Sequence, residues 1–259
     1  MHIARYALGA DIHYGIVEGD ALRRLAGSPF DSLETSGETD PLRGARLLCP
    51  VEAPRIFGAG LNYVSHIEES GAATPEIPML FMKPDTAAIG PNEPIVYPRE
   101  GKHVDFEGEL AVVIGKRARR VPEAEALGVV LGYSCANDLS ERVIQFKEMS
   151  IGCLLVGKAF DTFCPLGPVI ATDLDPDALL LEAFVNGERR QSIKTSDLLF
   201  SCATLVSYLS QAITLLPGDV IITGTPAGVG PVVPGDKVDI TIEGIGTLTN
   251  PVEAERQTA

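Results

Sequence analysis

Two acidic residues at alternate positions are the first candidates for chemistry in this sequence. Glu107 and Glu109 come directly before the apolar run Leu110–Ile114. Residues i and i+2 of a strand point to the same side, so the two carboxylates would project side by side. Adjacent carboxylates repel each other unless a cation or a proton lies between them. Such oxygen ligands suit Mg²⁺, Mn²⁺ or Ca²⁺, although an exposed strand end with solvated acids would show the same pattern.

A second polar pattern begins at Asp138. Asp138, Arg142 and Gln145 have the spacing i, i+4, i+7, which would place an acid, a guanidinium and an amide on one helical face. We expect a helix over Asp138–Ser150, because Asp138 and Glu141 resemble the capping box of a helix start. Its polar face is either a surface stripe or one wall of an anion-binding site.

A single lysine lies in a largely apolar stretch that is punctuated by Gly and Pro. Lys158 is either an ordinary surface cation or the positive charge that holds an acidic substrate. An acidic protein needs such a charge, and this chain has 21 Lys and Arg against 35 Asp and Glu, a formal net charge of −14. The same acidity disfavours a nucleic-acid partner, because the chain would repel a phosphate backbone.

Several functional classes are excluded by motifs that the sequence lacks. It contains no G-x-x-x-x-G-K-[ST] phosphate loop, no G-x-S-x-G elbow and no H-E-x-x-H zinc motif. Five cysteines without a C-x-x-C pair disfavour a disulfide framework and a cysteine zinc site. No apolar run approaches the roughly 18 residues of a membrane span, and the first residues show no signal-peptide core. We therefore expect no membrane segment and a cytoplasmic location.

The elements that must position these residues are mostly strands. Short apolar or β-branched runs outnumber helical patterns and lack regular βαβ alternation. The sequence predicts a mixed α/β, predominantly β protein with a curled, mostly antiparallel core and further helices near Asn62–Ser70 and Thr204–Ile213. The stretch Phe30–Gly44 is polar and is expected to be a connection. We expect a small N-terminal β-rich domain over residues 1–50 and a catalytic domain over residues 51–259.

Six motifs in order resemble the fumarylacetoacetate hydrolase family, over roughly residues 55–252. They are Gly60-Leu61-Asn62-Tyr63 with His66, Lys83-Pro84, Asp105-Phe106-Glu107-Gly108-Glu109-Leu110, Asn137-Asp138, Gly157-Lys158 with Asp161-Thr162, and Gly224-Thr225-Pro226-Ala227-Gly228-Val229-Gly230. Each motif alone is weak, whereas six in this order are specific to the family but not to one reaction. The resemblance implies a fumarylacetoacetate-hydrolase-type β-roll behind a small N-terminal β domain, normally in a homodimer.

The resemblance also implies a metal centre and a substrate class. Glu107, Glu109 and Asp138 would bind one divalent cation, Mg²⁺ or Mn²⁺, and leave its other positions open to water or substrate. A small anionic 2-oxo acid could chelate that cation through its carboxylate and keto oxygens, and the cation would act as a Lewis acid. Lys158 would then pair with the carboxylate or enolate oxygen of the substrate.

Further site residues follow from the same resemblance. Arg142 and Gln145 match substrate-side positions of the family, and Thr225 would add a hydroxyl or backbone donor from the glycine-rich loop. In short hydrolase members, a His and an acid three residues later form a catalytic dyad on a flexible lid helix. His66 and Glu69 match this dyad, and Glu69 would orient His66 so that it takes a proton from water.

The expected activity is that of a Mg²⁺- or Mn²⁺-dependent hydrolase. It would cleave a C–C bond in an acylpyruvate-like 2,4-dioxo acid through a metal-stabilised enolate. The same enolate serves a decarboxylase of oxaloacetate or an oxo-tricarboxylate, or a 2-hydroxyhepta-2,4-diene-1,7-dioate isomerase of aromatic catabolism, so these alternatives stay open. The alternative from a different class is a metal-binding structural or ligand-sensing protein on the same scaffold.

Overall fold

The chain begins with an antiparallel meander. The computed structural model describes residues 1–256. The first strands are β1 (His2–Leu8), β2 (Asp11–Glu18), β3 (Ala21–Leu25), β4 (Thr35–Pro41) and β5 (Arg46–Leu47). The prediction that Phe30–Gly44 is only a connection is wrong, since β4 lies within it. β4 is polar and mostly exposed and forms by pairing with β3, a contact that hydrophobic patterning does not reveal.

Eight further strands follow between Ile56 and Glu141, joined by loops and by short helices. They are β6 (Ile56–Gly60), β7 (Met79–Lys83), β8 (Ala88–Ile89), β9 (Ile95–Tyr97), β10 (Val104–Phe106), β11 (Gly108–Ile114), β12 (Val130–Asn137) and β13 (Ser140–Glu141). The later strands are β14 (Cys164–Ala171), β15 (Leu180–Val185), β16 (Glu188–Lys194), β17 (Val220–Ile222), β18 (Gly230–Pro231), β19 (Lys237–Ile242) and β20 (Gly246–Ala254). Strands therefore predominate, as the many short apolar and β-branched runs of the sequence predict.

Three sheets result from these strands. The largest has 12 strands. Ten of them have the order β4-β3-β2-β1-β14-β12-β11-β17-β6-β7, and the other two, β5 and β8, pair with β1 and β14. The others have the orders β13-β10-β18 and β16-β15-β19-β20-β9. Three strand pairs, β8–β14, β6–β17 and β9–β20, are parallel, and the other pairs within residues 1–256 are antiparallel. A mixed, predominantly antiparallel β architecture is thus confirmed.

The N-terminal meander shares the large sheet with the rest of the chain. β1 pairs with β14 through His2–Ala171 and Ile3–Ile170, and it also pairs with β5. A turn at Gly9, where φ is 64°, connects β1 to β2, a backbone conformation that favours glycine. The division into units 1–50 and 51–259 stays a prediction, since these strands form one continuous sheet.

The helices lie outside the sheets. They are α1 (Val64–Ser70), α2 (Glu123–Ala126), α3 (Arg142–Ser150) and α4 (Cys202–Ala212). α1 and α4 confirm predicted helices, and α4 buries Leu205 and Leu209 as its spacing predicts. Within residues 1–256, no helix is both long and apolar enough to cross a membrane.

The start of α3 corrects one prediction. A helix beginning at Asp138 with a capping box at Asp138 and Glu141 is wrong, because Glu141 is the N-cap and accepts a hydrogen bond from the Ile144 amide. Ser140–Glu141 instead forms strand β13 against β10. Long-range strand pairing therefore overrides the local capping signal at Asp138.

β11 carries the acidic pattern and lies in the middle of the core. All seven of its residues are buried. Leu110, Val112 and Ile114 belong to one hydrophobic cluster, and Ala111 and Val113 belong to another on the opposite face. A strand buried on both faces shows a continuous apolar run instead of alternation. The acids at its start are therefore held on a well-packed element.

Candidate active site

A cavity of about 530 Å³ lies beside the start of β11. Its volume falls in the range of small-molecule sites, roughly 300–1,000 Å³. The structure brings all nine residues predicted from the sequence to its wall. They are His66, Glu69, Glu107, Glu109, Asp138, Arg142, Gln145, Lys158 and Thr225.

Three of these residues form a buried carboxylate cluster. Oxygen atoms of Glu107, Glu109 and Asp138 lie within 4.8 Å of one another. Strand pairing positions them, because Glu109 lies opposite Ala136 and the Asp138 amide donates to the Glu107 carbonyl at 2.9 Å. Glu107 and Glu109 are 4% and 2% exposed, so an exposed strand end with solvated acids is excluded.

Two lysines extend into the same cluster. The Lys158 ammonium donates to Glu107 Oε2 at 2.8 Å and to Asp138 Oδ2, and Lys83 donates to Asp138 Oδ1 and the Leu139 carbonyl. Lys158 is only 3% exposed, which excludes an ordinary surface cation. We call the four of these residues that line the cavity, Glu107, Glu109, Asp138 and Lys158, the cavity floor, and Lys83 supports it through Asp138.

The carboxylates of the floor have opposite electrostatic environments. Burial alone would raise the pKa of Glu107, but the positive charges of Lys158 and Arg142 outweigh it and hold that pKa below its usual range. Burial raises the pKa of Glu109 well above its ordinary value, and the negative charges of Asp138 and Glu107 raise it further. Glu109 is therefore the acid that most needs a further cation.

The donor set fits a hard divalent cation. Glu109 accepts a hydrogen bond from the Gly224 amide at 2.6 Å, and no basic side chain within residues 1–256 forms an ion pair with it. When all four carboxylates here are ionised, they outnumber the three cations by one, an excess that a bound divalent cation would offset. The carboxylates are Asp105, Glu107, Glu109 and Asp138, and the cations are Lys83, Arg142 and Lys158. Carboxylate oxygens in such an environment suit Mg²⁺ or Mn²⁺.

Arg142 connects the floor to the first turn of α3. Its guanidinium donates to Asp105 Oδ2, pairs with Glu107 Oε1, each at 2.7 Å, and donates to Gln145 Oε1 at 2.9 Å. The Arg142 side chain is 11% exposed and Gln145 is 7% exposed, so the polar face is no surface stripe. Asp138 joins these residues from the loop after β12 and not from the helix, contrary to the predicted helical face.

His66 and Glu69 lie together on α1, the helix at the rim of the cavity. His66 Nδ1 is 3.3 Å from Glu69 Oε2, and Glu69 Oε1 accepts a hydrogen bond from the Gly228 amide at 3.0 Å. The Ser65 hydroxyl accepts from the Ala227 amide. α1 thus contacts the glycine-rich loop through two side chains, and Glu69 contacts both the loop and the imidazole.

Thr225 is placed in the cavity wall by a network that sequence reasoning missed. Its hydroxyl donates to the Gly108 carbonyl at 3.0 Å and accepts from Gln191 Nε2 at 2.8 Å. Gln191 Oε1 in turn accepts from the Gly108 amide at 3.0 Å. The hydroxyl hydrogen of Thr225 is therefore used within the protein, and its role as a donor to substrate stays a prediction. A lone glutamine in β16 carries no sequence signal that identifies it.

Two further polar residues near the site were not predicted. Lys83 belongs to one of the six motifs, but its pairing with Asp138 depends on packing between β7 and the loop after β12. His103 lines the cavity with Nε2 2.8 Å from Asp105 Oδ1. His103 and Asp105 are two residues apart, a spacing that places two side chains on the same side of a strand, and this spacing was the sequence signal available for His103.

Family models match nearly the whole described chain. The model for the fumarylacetoacetate (FAA) hydrolase C-terminal domain matches residues 55–253, and the Rv2993c-like N-terminal model matches residues 1–50. Protein Rv2993c of Mycobacterium tuberculosis is 45% identical over 97% of this chain and 98% of its own. The mitochondrial oxaloacetate tautomerase fahd2 of Xenopus laevis is 42% identical over 80% of this chain and 68% of its own.

Solved structures show the same fold. A 5-carboxymethyl-2-hydroxymuconate delta-isomerase from Mycobacterium smegmatis has a TM-score of 0.92 at 46% identity, covering 98% of this chain and 100% of that chain. A maleylpyruvate hydrolase from Sphingobium sp. SYK-6, solved with manganese(II) and pyruvate, has a TM-score of 0.82 at 33% identity and covers 99% and 100%. These neighbours confirm the fold prediction. The fold, the six sequence motifs and the family-model match over residues 55–253 all agree, and this chain belongs to the fumarylacetoacetate hydrolase family.

Proposed function

We propose that the protein is a divalent-metal-dependent enzyme that hydrolyses a C–C bond in an acylpyruvate-like 2,4-dioxo acid. The observation that carries this proposal is the presence of the His66–Glu69 pair on the wall of the cavity that holds the acidic floor. Hydrolysis requires a base for water next to the groups that stabilise an enolate. This cavity offers both.

The floor is suited to the 2-oxo acid end of the substrate. Glu107, Glu109 and Asp138 would hold Mg²⁺ or Mn²⁺, which supplies a Lewis acid for enolate formation when bound. Burial would lower the pKa of Lys158, but Asp138 and Glu107 raise it above its ordinary value, so its ammonium stays charged. That charge can pair with the carboxylate or enolate oxygen, and the Gln145 amide can donate to the same end.

The rim is suited to the activation of water. Glu69 holds the imidazole through Nδ1 and leaves Nε2 for proton transfer. His66 takes a proton from water, and the water oxygen adds to the carbonyl carbon distal to the 2-oxo acid. The C–C bond then breaks, and its electron pair stays on the pyruvate fragment as an enolate. Protonation of that carbon gives pyruvate, and the acyl fragment leaves as a carboxylic acid.

An isomerase or tautomerase, or a decarboxylase, is the second candidate. The specific observation in its favour is that relatives at 46% and 42% identity are named a delta-isomerase and an oxaloacetate tautomerase. Such reactions use an enol or enolate of a 2-oxo acid but add no water. They would need the floor and not the base function of His66.

His66→Ala distinguishes the two candidates. For a hydrolase we expect kcat on acetylpyruvate or fumarylpyruvate to fall by about 10² to 10⁴, the usual contribution of a general base. KM should change little, since the floor is intact. The measurement is steady-state kinetics with Mg²⁺ on these substrates and on oxaloacetate, with His13→Ala in β2 as the matched control. A wild type that turns over oxaloacetate alone, unaffected by His66→Ala, would contradict the hydrolase and support the second candidate.

We also propose that two copies form a homodimer. Phe146, Ile151, Leu155 and Val156 expose from 50% to 77% of their surfaces on α3 and the segment after it. Clustered exposed apolar side chains mark protein interfaces. Light scattering should give twice the chain mass of 27.5 kDa, and a mass of one chain would contradict the dimer.

A further inference from the structure

We infer that Glu148 is a positioning residue: its carboxylate holds the turn that carries Lys158 against α3 and so fixes where the Lys158 ammonium lies in the cavity. Residues 155–158, which we call the lysine turn, include the 3₁₀ helix Val156–Lys158. The inference rests on the proposed function in one respect, because it takes Lys158 to pair with the substrate. It applies equally to hydrolysis and to the alternatives that form the same enolate.

The carboxylate of Glu148 accepts hydrogen bonds from three backbone amides of the lysine turn. Oε1 accepts from the Val156 amide at 2.7 Å, and Oε2 accepts from the amides of Gly157 at 3.0 Å and Leu155 at 3.2 Å. Burial alone would raise the pKa of Glu148, but these hydrogen bonds outweigh it and hold that pKa below its ordinary value. The carboxylate is therefore ionised at neutral pH, and an ionised acceptor forms stronger hydrogen bonds than a neutral one.

The place of Glu148 in α3 is unfavourable on local grounds. It lies in the last turn of the helix, whose C-terminal end carries partial negative charge and disfavours a carboxylate. The amides of the lysine turn offset this cost. The contact with the turn, and not the stability of the helix alone, therefore accounts for an acid at this position.

The side chains of the lysine turn contribute little to its anchoring. Leu155 and Val156 expose 54% and 50% of their surfaces. The amides of Lys158 and Ala159 donate to the Leu155 and Val156 carbonyls, so these hydrogen bonds stay close to the turn itself. The three hydrogen bonds to Glu148 instead join the turn to α3.

Gly157 brings the turn into direct contact with α3. A Cβ atom at this position would lie 2.6 Å from the Gln145 amide nitrogen and 2.7 Å from the Gln145 Cα. Any side chain would push the turn away from the helix, because backbone atoms in a packed contact cannot move aside as the end of a flexible side chain can. Gly157 and Glu148 thus fix the turn at two points, directly before Lys158.

This anchor matters most when the cavity is loaded. In the structure, the Lys158 ammonium pairs with Glu107 and Asp138. A cation bound to these carboxylates would compete with Lys158 for the same oxygens, and the ammonium would turn to the substrate. The backbone of the lysine turn then determines where Nζ lies. A misplacement of about 1 Å can cost about 10²-fold in rate, so a firm anchor is of direct use to the reaction.

Chemical labelling of Lys158 in the metal-free protein tests the inference without turnover. The probe is acetic anhydride, and mass spectrometry compares Lys158 with the exposed Lys194 of the same sample. Glu148→Gln keeps one acceptor oxygen, but its amide nitrogen cannot accept from the backbone. We expect labelling of Lys158 to rise about fivefold, because a turn that loses hydrogen bonds to a charged acceptor opens more often. Gly157→Ala should cause a similar rise by displacing the same turn.

Glu93→Gln is the matched control for a general loss of stability. The Glu93 carboxylate also accepts a backbone amide, that of Gly90 at 2.9 Å, in the loop between β8 and β9. The chemical change is the same, but the loop does not carry Lys158. Labelling of Lys158 should stay at the wild-type rate in this variant, even if its Tm falls as far as that of Glu148→Gln.

A double-mutant cycle with Lys158 supplies the second readout. The probe is oxalate, titrated by calorimetry into protein loaded with Mg²⁺. We expect Glu148→Gln to weaken oxalate about tenfold in the wild-type background, the contribution of a charged hydrogen bond. In the Lys158→Met background the same change should weaken oxalate by at most about twofold, because the anchor acts through Lys158. If Lys158→Met does not fold, the labelling of the single variants decides.

Unchanged labelling of Lys158 in Glu148→Gln would overturn the inference, and so would equal weakening of oxalate in both backgrounds. A wild type that turns over neither acetylpyruvate, fumarylpyruvate nor oxaloacetate would contradict the proposed function instead. Labelling and oxalate binding do not depend on turnover. The two failures are therefore distinguishable.

Discussion

The floor of the cavity and the helix at its rim are held in place by different means. The floor is buried, and Lys158 and Lys83 join Asp138 and Glu107 through charged hydrogen bonds. α1 has seven residues, its N-cap Tyr63 makes no side-chain capping bond, and it ends at Gly71. Two hydrogen bonds join it to the glycine-rich loop: the Gly228 amide donates to Glu69, whose side chain is 40% exposed, and the Ala227 amide donates to the Ser65 hydroxyl.

We propose that this difference corresponds to a division of catalytic roles between the two regions. A buried, interlocked set of charges is costly to rearrange, because each uncompensated charge in the interior costs several kcal/mol. A short helix with few anchoring contacts can open locally at low cost. Enolate stabilisation, which the two candidate reactions share, fits the buried floor. Water activation, which distinguishes hydrolysis from isomerisation, fits the adjustable rim.

The largest expected effect is the loss of the cation that we propose for the floor. EDTA should abolish every activity, and Mg²⁺ or Mn²⁺ should restore it, because the enolate loses its Lewis acid in each reaction. Glu107→Ala should abolish activity in the same way, whereas Glu18→Ala on the exposed surface of β2 should not. Metal at about 100 times its Kd should also stabilise the fold by about 2.7 kcal/mol in thermal unfolding. Full activity in EDTA would contradict the proposal that the floor binds a catalytic cation.

The second effect is a pH dependence that originates at Glu109. Its pKa is raised in the folded protein, so above the ordinary value the unfolded chain has released the proton while the folded chain retains it. The metal-free protein should therefore lose stability as pH rises through that window, by up to about 1.4 kcal/mol per unit. Urea unfolding at pH 5 to 7 checks this.

Glu109→Gln removes the titrating group and is the matched comparison. The difference in slope between wild type and this variant cancels the contribution of the histidines. Mg²⁺ should also flatten the wild-type slope, since a bound cation replaces the proton between the carboxylates. Identical slopes in wild type and Glu109→Gln would show that the pKa of Glu109 is not raised in the folded, metal-free protein.

Local sequence patterns, the strand period and the helical spacing, predict much of this site. The period of two along a strand places Glu107 and Glu109 together, and helical spacing places His66 beside Glu69. Both pairs lie together in the structure, because the two residues of each pair lie within one element or at its edge. The rest depends on the packing of distant segments. Asp138 reaches the floor through strand pairing and not through a helix, a contact that local capping rules cannot foresee.

Lys83 and Gln191 show the same limit for single residues. Each is polar and buried and forms at least two hydrogen bonds to segments far away in sequence. A single lysine or glutamine in a strand has no periodic partner that would mark it. The motif order indicated the family, but only the folded chain shows which charges these side chains offset.

The smallest expected effect separates the two functions of Glu69 at the rim. Glu69→Gln keeps an oxygen that can accept from the Gly228 amide, but it removes the charge that stabilises a protonated His66. Because Glu69 is 40% exposed, that charge contributes only about 0.5–1 kcal/mol, so hydrolysis should slow about two- to fivefold. Reactions that add no water should be unaffected, and Glu68→Gln, the exposed neighbour on α1, is the control. A loss as large as that of His66→Ala would mean that α1 is held far more firmly than its contacts suggest, and that rim and floor act as one rigid unit.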